Sequence, residues 1–377
     1  MTERYDAVVV GGGIVGSSLG YHLARADAET LLIDRSDDGR ATDAGAGIIS
    51  PATSSRTADD DWFEFATDAV EYYPALNDRL EADGAENTSY RQQGTIAVAV
   101  DPDELNPYEE AIDRIDERNL DSIEEIDSSE AVERFPALEE PERAFYYPDA
   151  GRVDGREFAD ALLTVGRSSG LETLDGEVTS IRVDDATASG VVTADGRRIE
   201  AEHVVLAGGA WSETFGEELG VRLPVEPHRG QVAHLSVPEA DTDDWPIVNG
   251  FRHHYIVPWP DGRIVFGSTR EADAGFDPRL TAGGVDEVLT EGLRVAPGLD
   301  GATLEELRVG LRPVSADRLP ILGSIPDIDG AHVATGHGAT GLMLGPYSGK
   351  VVAEAVLGDT DAVPDHFSVT RFQNESG

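Results

Sequence analysis

Residues Tyr5 to Gly16 read Tyr-Asp-Ala-Val-Val-Val-Gly-Gly-Gly-Ile-Val-Gly, and this stretch decides the fold. Its apolar run from Ala7 to Val10 predicts a buried parallel strand, and the glycines predict a tight turn. Ile14 to Ala26 has the pattern of a helix. A second apolar run then ends on Asp34. This order of strand, turn, helix and strand is typical of a Rossmann-type βαβ unit.

The glycines of this G-x-G-x-x-G pattern have different physical roles. Gly11 permits the sharp turn, Gly13 lets the backbone approach a pyrophosphate, and Gly16 lets the helix pack closely on the strand. The helix start offers unpaired N–H groups and the positive end of its dipole to phosphates. Asp34 follows Gly16 by 18 residues, which suits a carboxylate that binds ribose hydroxyls. The stretch therefore predicts a dinucleotide site, with a merely glycine-rich turn as the alternative.

The composition indicates a protein adapted to high salt. The chain has 377 residues, enough for two domains, and carries 73 acidic against 29 basic residues, a net charge of −44. Lys350 is its only lysine. Because such self-repulsion is costly at low salt, we expect an extreme halophile as the source. Stability that did not rise from dilute buffer to molar KCl would contradict this expectation.

Several function classes are disfavoured by the same composition. A strongly negative chain is a poor partner for nucleic acid or anionic lipid. No apolar run approaches the roughly 18 to 20 residues that span a bilayer, and no basic region precedes the first apolar run, so we expect a cytoplasmic protein. The absence of cysteine excludes disulfides, Fe–S clusters and a cysteinyl flavin link. The histidines show no metal-ligand spacing, and we expect no metal.

The rest of the chain predicts an α/β fold with two domains. Strand-helix units lie at the start, middle and end of the chain, and two antiparallel-type inserts separate them. We therefore predict a nucleotide domain at 1–80, 150–220 and 310–377, interrupted by a second domain at 81–149 and 221–309. Helices are expected at Trp62 to Ala82, Asp103 to Leu120, from Ser128, at Arg156 to Ser168 and from about Tyr347 to Leu357. Two separate strands are expected at Arg198 to Ile199 and at His203 to Ala207.

Several stretches in collinear order resemble the flavin-dependent glycine oxidase and D-amino-acid oxidase superfamily. They include the GGGIVG start, Val204 to Ser212 (VVLAGGAWS), Tyr255 to Pro258 (YIVP), Gly310 to Pro313 (GLRP) and Thr335 to Pro346. The resemblance implies a p-hydroxybenzoate-hydroxylase-like fold, in which a Rossmann-like FAD-binding domain carries an inserted antiparallel-sheet substrate domain. It also implies non-covalent FAD in place of NAD.

The resemblance assigns positions to the cofactor. The glycine turn and Asp34 would hold the ADP half of FAD, Val178 would lie along the adenine, and Gly338 to Leu342 would face the flavin ring. A helix start at that ring would stabilise the anionic reduced flavin. The implied cofactor residues are Gly11, Gly13, Ile14, Val15, Gly16, Asp34, Arg35, Ala46, Gly47, Ile48, Val178, Ala207, Gly208, Gly338, Thr340, Gly341 and Leu342.

For the substrate, the resemblance points to Arg312 of the GLRP motif and Tyr255 of the YIVP strand. A guanidinium fork pairs bidentately with a carboxylate, and that clamp would hold the Cα–H against flavin N5. Arg229 and Arg252 are reserve candidates. Monomeric sarcosine oxidases carry a flavin-linking cysteine and a lysine over the flavin, whereas this chain has no cysteine and aligns Val265 with the lysine.

The expected reaction is oxidation of the Cα–N bond of glycine, sarcosine or a D-amino acid by hydride transfer to flavin. The imino acid would then hydrolyse to a keto acid and ammonia or amine. Oxygen or an electron-transfer acceptor would take the electrons, and a homo-oligomer is compatible with the sequence. Two alternatives stay open: a 2-hydroxy-acid dehydrogenase that reduces a quinone or carrier, and a flavin subunit of a hetero-oligomer.

Overall fold

The computed structural model describes residues 4–54, 56, 59–120 and 122–375. The first half of the chain contains β1 (Arg4–Val10), α1 (Ile14–Arg25), β2 (Thr30–Asp34), α2 (Ala41–Ala44), β3 (Ile48–Ile49), α3 (Asp60–Ala82), β4 (Arg91–Gln92), β5 (Thr95–Ala99), α4 (Leu105–Glu117), β6 (Glu124–Ile126), α5 (Ser128–Arg134), β7 (Arg143–Tyr147), β8 (Gly151–Arg152) and α6 (Gly155–Ser168). The second half contains β9 (Glu172–Asp175), β10 (Val178–Asp184), β11 (Thr187–Thr193), β12 (Arg198–Leu206), β13 (Val225–Ser236), β14 (Ile247–Gly250), β15 (Tyr255–Pro258), β16 (Arg263–Gly267), α7 (Ala282–Val295), β17 (Thr303–Ser315), β18 (Ile321–Ser324), β19 (Ala331–Thr335) and α8 (Gly341–Val356).

The first strand, β1, lies inside an eight-stranded sheet. It pairs in parallel with β2 on one edge and with β12 on the other, and β9 and β19 extend the parallel part. Ala7 and Val9 pack among α1, α3, α6 and α8, whereas Val8 and Val10 belong to a second core with β10, β11 and β12. Burial of both faces explains why the part of β1 from Ala7 to Val10 is continuously apolar.

The strand β12 takes part in two kinds of pairing. Its first residues pair antiparallel with β11, and Val204 to Leu206 pair in parallel with β19. The sequence pattern predicted two separate strands here, Arg198 to Ile199 and His203 to Ala207. That division is wrong, because one continuous strand serves both the antiparallel hairpin and the parallel layer.

A second eight-stranded sheet has the order β17-β13-β16-β15-β14-β5-β7-β6. Its neighbours are antiparallel except for the parallel pair of β14 and β5. One face packs on α5 and α7 through Ala131 and Val288, and the other packs on α4 through Tyr108 and Ile115. A small sheet of β3, β8 and β4 completes the strands.

The two large sheets draw on separate parts of the chain. The first takes its strands from residues 4–34, 172–206 and 321–335, and the second takes them from 95–147 and 225–315. We propose the discontinuous two-domain division on this basis. Because β17 runs without interruption through residue 310, we place the last junction after Ser315 and not at 309/310.

The last helix, α8, begins at Gly341 and not near Tyr347, where the sequence pattern placed its start. Pro346 has no N–H to donate to the Leu342 carbonyl. Tyr73 of α3 donates its hydroxyl to that carbonyl instead, and the hydroxyl of Ser18 in α1 donates to the Pro346 carbonyl at 2.7 Å. These two contacts explain how the helix accommodates a proline.

Four histidines removed from water make stability depend on pH. Burial lowers the pKa of His22, His234, His332 and His337 from 6.5 to about 4. Between these values the unfolded chain holds more protons than the folded one, so the folded state loses stability as the pH falls from 6.5 to 4. We expect the urea midpoint in molar KCl to fall over this range, and the His332→Gln variant to lose less. A midpoint that stayed constant would contradict the prediction.

Candidate active site

A cavity of about 1110 Å³ is lined by residues of both large sheets, the glycine turn and the start of α8. All of the predicted cofactor and substrate residues line it except Gly16. The lining set comprises Gly11, Gly13, Ile14, Val15, Asp34, Arg35, Ala46, Gly47, Ile48, Val178, Ala207, Gly208, Tyr255, Arg312, Gly338, Thr340, Gly341 and Leu342.

The glycine turn brings the end of β1 against the end of β12. Gly11 has φ +107°, and a Cβ there would lie 2.4 Å from the Ala207 carbonyl oxygen. Gly16 lies behind the turn, where a Cβ would lie 1.8 Å from the Gly11 oxygen. Gly16 therefore acts by allowing close packing of α1 on the strand, while Gly11 permits the backbone turn itself.

The start of α1 carries amide groups that face the cavity. Gly13 is the N-cap residue of α1, and no side chain at this position accepts a hydrogen bond from the helix. The Ile14 amide donates to Thr42 Oγ1 at 2.9 Å, whereas no described residue accepts a hydrogen bond from the Gly13 or Val15 amide. Unpaired amides at a helix N-terminus favour an anionic group such as phosphate.

Asp34 lies beside this turn at the end of β2. Its Oδ2 accepts hydrogen bonds from the Gly12 amide at 2.9 Å and from Arg40 Nη1 at 2.8 Å, and its Oδ1 accepts one from the Ser36 amide. Arg40 and Thr42 were both missed from the sequence. Arg40 directly precedes the four-residue helix α2, and Thr42 lies within it. No local sequence pattern indicates the position of this helix.

Arg35 is fixed on the same side of the cavity. Its Nη1 donates to Glu177 Oε1 at 2.7 Å, and its guanidinium lies 5.6 Å from the ring centroid of Trp211. Trp211 also lines the cavity, next to the predicted Ala207 and Gly208. Trp211 lies in the stretch VVLAGGAWS, but no role was predicted for it.

The start of α8 forms another part of the wall. Its N-cap, Thr340, gives no side-chain cap to the helix and donates its hydroxyl to the His337 carbonyl at 2.8 Å. His337 Nε2 lies 2.9 Å from Ser348 Oγ. Because burial lowers its pKa to about 4, His337 is neutral at pH 7. A second uncapped helix start, with its positive dipole end, therefore faces the cavity.

Arg312 is held by neutral groups alone. Its Nη2 donates to Ser268 Oγ at 2.7 Å, and its Nη1 donates to the Thr269 carbonyl at 3.1 Å and the Arg229 carbonyl at 3.4 Å. No carboxylate within the described ranges forms an ion pair with it. Burial lowers the pKa of Arg312, while Tyr255 and Glu271 raise it. The guanidinium is thus a cation in the cavity wall that lacks a directly bonded counter-ion.

The side chains of Arg312 and Tyr255 lie over two glycines of the second large sheet. A Cβ on Gly230 of β13 would lie 2.2 Å from Arg312 Nη2, and a Cβ on Gly267 of β16 would lie 2.4 Å from the Tyr255 ring. In the sheet these residues stand on the adjacent strands β17, β13, β16 and β15. The two predicted substrate residues therefore converge because both intervening positions lack side chains.

The reserve candidates have structural partners. Arg229 is buried and pairs with Glu271 at 2.6 Å, and Arg252 pairs with Asp103 at 2.9 Å. Val265 is buried in a core cluster with Val232 and Val257 and does not line the cavity. The described residues hold no cluster of three or more His, Asp or Glu side chains suited to a metal ion, and no helix among them is long and apolar enough to cross a membrane.

Comparison with known proteins identifies the family of this chain. A family model described as "FAD dependent oxidoreductase" matches residues 6–355. The chain belongs to this family. FAD is accordingly the cofactor of this FAD-dependent oxidoreductase, and the predicted α/β class with a Rossmann-like FAD-binding domain is confirmed.

Individual relatives agree with the family model. The uncharacterized oxidoreductase YurR of Bacillus subtilis is 38% identical over 354 residues, which cover 93% of this chain and 94% of that protein. Glycine oxidase of Geobacillus kaustophilus is 31% identical over 389 residues and covers 100% of both chains. The crystal structure of iminodiacetate oxidase from Chelativorans sp. BNC1 gives a TM-score of 0.90 at 38% identity, covering 96% of this chain and 98% of that one.

The cavity of this FAD-dependent oxidoreductase fits its cofactor. The start of α1, with the amides of Gly13 and Val15 that are unpaired among the described residues, suits the pyrophosphate of FAD. Gly11 approaches Ala207 so closely that a side chain at position 11 would not fit there. The α8 start suits the electron-rich part of a flavin. These residues would hold FAD, and Arg312 and Tyr255 remain available for the substrate.

Proposed function

We propose that the protein oxidises the Cα–N bond of a small amino acid such as glycine, sarcosine or a D-amino acid. The observation that carries this proposal is the Arg312 guanidinium, which faces the cavity with only neutral hydrogen-bond partners among the described residues. A buried cation is costly without an anionic partner. The carboxylate of an amino acid would supply that partner through a bidentate pair.

The relatives support the choice of an amine substrate. Glycine and iminodiacetate, named for two of them, share the group N–CH2–COO⁻. Oxidation of its C–N bond removes a hydride from carbon and a proton from nitrogen, and water then releases a keto acid and ammonia or amine. FAD, when bound, accepts the hydride.

The chain's own residues would orient this substrate. Arg312 would fix the carboxylate through its planar fork, and the Tyr255 hydroxyl would give a second contact. Burial lowers the pKa of His228 and His253, which also line the cavity, and therefore favours the neutral form of both. Neutral histidines would add no positive charge against the amine, which must lose its proton before hydride transfer.

Anaerobic bleaching of the flavin absorbance tests the proposal directly. The holoprotein in molar KCl is mixed with glycine, sarcosine, D-amino acids and 2-hydroxy acids, and air is then readmitted. Bleaching by amino acids is expected, and the rate of recolouring in air separates oxygen from an electron-transfer acceptor. Bleaching by hydroxy acids alone would replace the proposal with the dehydrogenase alternative, and no bleaching would favour a missing partner subunit.

A further inference from the structure

Arg270 is a second arginine at the substrate end of the cavity, and the proposed reaction leaves it without a role. It follows β16 and the residues Ser268 and Thr269 that bind Arg312. Its side chain lines the cavity and is exposed there. Throughout the described residues, no side chain or backbone group forms a hydrogen bond or ion pair with its guanidinium.

The neighbouring carboxylate does not neutralise Arg270. Glu271 Oε2 accepts from Arg229 Nε at 3.1 Å and from Nη2 at 2.6 Å. Its Oε1 accepts from Gln231 Nε2 at 2.7 Å and from Thr269 Oγ1 at 2.8 Å. A carboxylate has about four acceptor positions, so Glu271 is fully used by other groups.

Carboxylates are abundant in this chain, which has 73 acidic and 29 basic residues. Arg229, Arg252 and Arg294 each bind at least one carboxylate. Of the acids that line the cavity, Asp34, Asp37 and Glu177 bind Arg40 or Arg35 near the glycine turn, and Glu110 lies on α4. Outside these pairs, the cavity is also lined by Arg56, Arg114, Arg270, Arg312 and Arg318. Among them, Arg270 is the one that directly follows the residues bonded to Arg312.

Arg270 and Arg312 lie close enough for their charges to repel. Partial desolvation at the cavity wall lowers the pKa of Arg270, and the nearby guanidinium of Arg312 lowers it further. Tyr255 raises this pKa, and Arg318 has a smaller lowering effect. A monocarboxylate bound to Arg312 would compensate one guanidinium. A ligand with two carboxylates would compensate both.

We infer that Arg270 binds a second carboxylate, so that the substrate is an amine carrying two carboxylates. Arg312 would hold the carboxylate next to the carbon that is oxidised, and Arg270 would hold the other. This inference rests on the proposed amine oxidation for its reaction, but the two-carboxylate site stands on the geometry alone. The second carboxylate would be attached either through nitrogen, as in iminodiacetate, or through the α-carbon, as in D-aspartate.

Kinetics with matched substrates test the inference. For the wild-type holoenzyme we expect kcat/KM for iminodiacetate or D-aspartate to exceed that for sarcosine or D-alanine, respectively. Which pair shows the larger ratio identifies where the second carboxylate is attached. Arg270→Gln is expected to reduce that ratio about 10- to 100-fold, the effect of losing a hydrogen bond between charged groups, and Arg270→Lys is expected to restore part of it.

Arg318→Gln is the matched control. Arg318 is exposed, lines the same cavity and loses the same charge on substitution. If the second carboxylate binds Arg270 directly, the ratio of the two kcat/KM values should change less than about 3-fold in Arg318→Gln. That change is well below the effect of losing a hydrogen bond between charged groups. Equal losses in both variants, or a wild-type ratio near one for both substrate pairs, would overturn the inference.

A binding measurement separates this inference from the proposed reaction. Oxydiacetate replaces the nitrogen of iminodiacetate with an ether oxygen and cannot undergo Cα–N oxidation, and methoxyacetate is its monocarboxylate counterpart. We expect oxydiacetate to perturb the flavin spectrum at lower concentration than methoxyacetate, and Arg270→Gln to remove the difference. If this binding difference is observed but no amine is oxidised, the proposed function is refuted and the two-carboxylate site stands. Equal binding of both compounds by wild type would overturn the inference even if amines are oxidised.

Discussion

Replacing Arg312 by alanine is expected to reduce kcat/KM about 10²- to 10⁴-fold, because each hydrogen bond between charged groups contributes about 1.5–3 kcal/mol and the fork makes two. Most of the loss should be an increase in KM, because the arginine binds the carboxylate before and during the reaction. Steady-state kinetics with the best substrate of the bleaching panel measure the effect.

Arg312→Lys is an informative companion, since it keeps the charge but loses the planar fork and should give intermediate kinetics. Arg279→Ala is the matched control, because Arg279 is an exposed arginine that bonds Asp277 and does not line the cavity. The flavin content should be unchanged in all three variants. Unaltered kinetics in Arg312→Ala would refute the carboxylate clamp.

Replacing Gly11 by alanine is expected to abolish stable FAD binding. The added Cβ would lie 2.4 Å from the Ala207 oxygen, a contact with backbone that no side-chain rotation can relieve. Alanine is also strained at φ +107°. We expect the purified variant to show little absorbance near the visible flavin band, and its affinity in an FAD titration to fall by at least about 10-fold, which corresponds to about 1.4 kcal/mol.

Gly84→Ala separates the two causes in that experiment. Gly84 has φ +100°, close to that of Gly11, but a Cβ there would meet no atom within 4 Å and the residue does not line the cavity. Both substitutions therefore cause similar backbone strain, whereas only Gly11→Ala places a Cβ against the backbone of Ala207. Equal flavin content in the two variants would contradict a specific role for Gly11.

The nucleotide turn was predictable because its signals are local. Strand, glycines and helix follow one another between Ala7 and Ala26, and each has a steric reason that can be derived without knowledge of the fold. The remaining cofactor positions and the pair of Arg312 and Tyr255 came from the resemblance. Their convergence depends on Gly230 and Gly267, which lie on other strands and become neighbours only through sheet pairing.

Other features depended on contacts that no single stretch contains. The start of α8 was placed too late, because glycines and Pro346 weaken the helical pattern and the compensating hydroxyl comes from Tyr73. Arg270 received no role, because its free guanidinium becomes evident only when Glu271 is found bound to Arg229 and Gln231. Thr42 was missed for the same reason, since its partner amide, Ile14, is 28 residues away.

The pairing of β1 with β12 has a consequence for how the protein is made. Val10 pairs with Leu206, so the ribosome must add nearly 200 residues before the first strand gains this neighbour, about 10 to 40 s at 5–20 residues per second. During that interval one edge of β1 has no partner strand. Unpaired strand edges promote aggregation, and chaperones protect incomplete chains that expose them. The wall formed by α8 is translated later still. Loading of FAD is therefore a late event of biogenesis, after the nascent chain has passed through a long interval with its first strand incompletely paired.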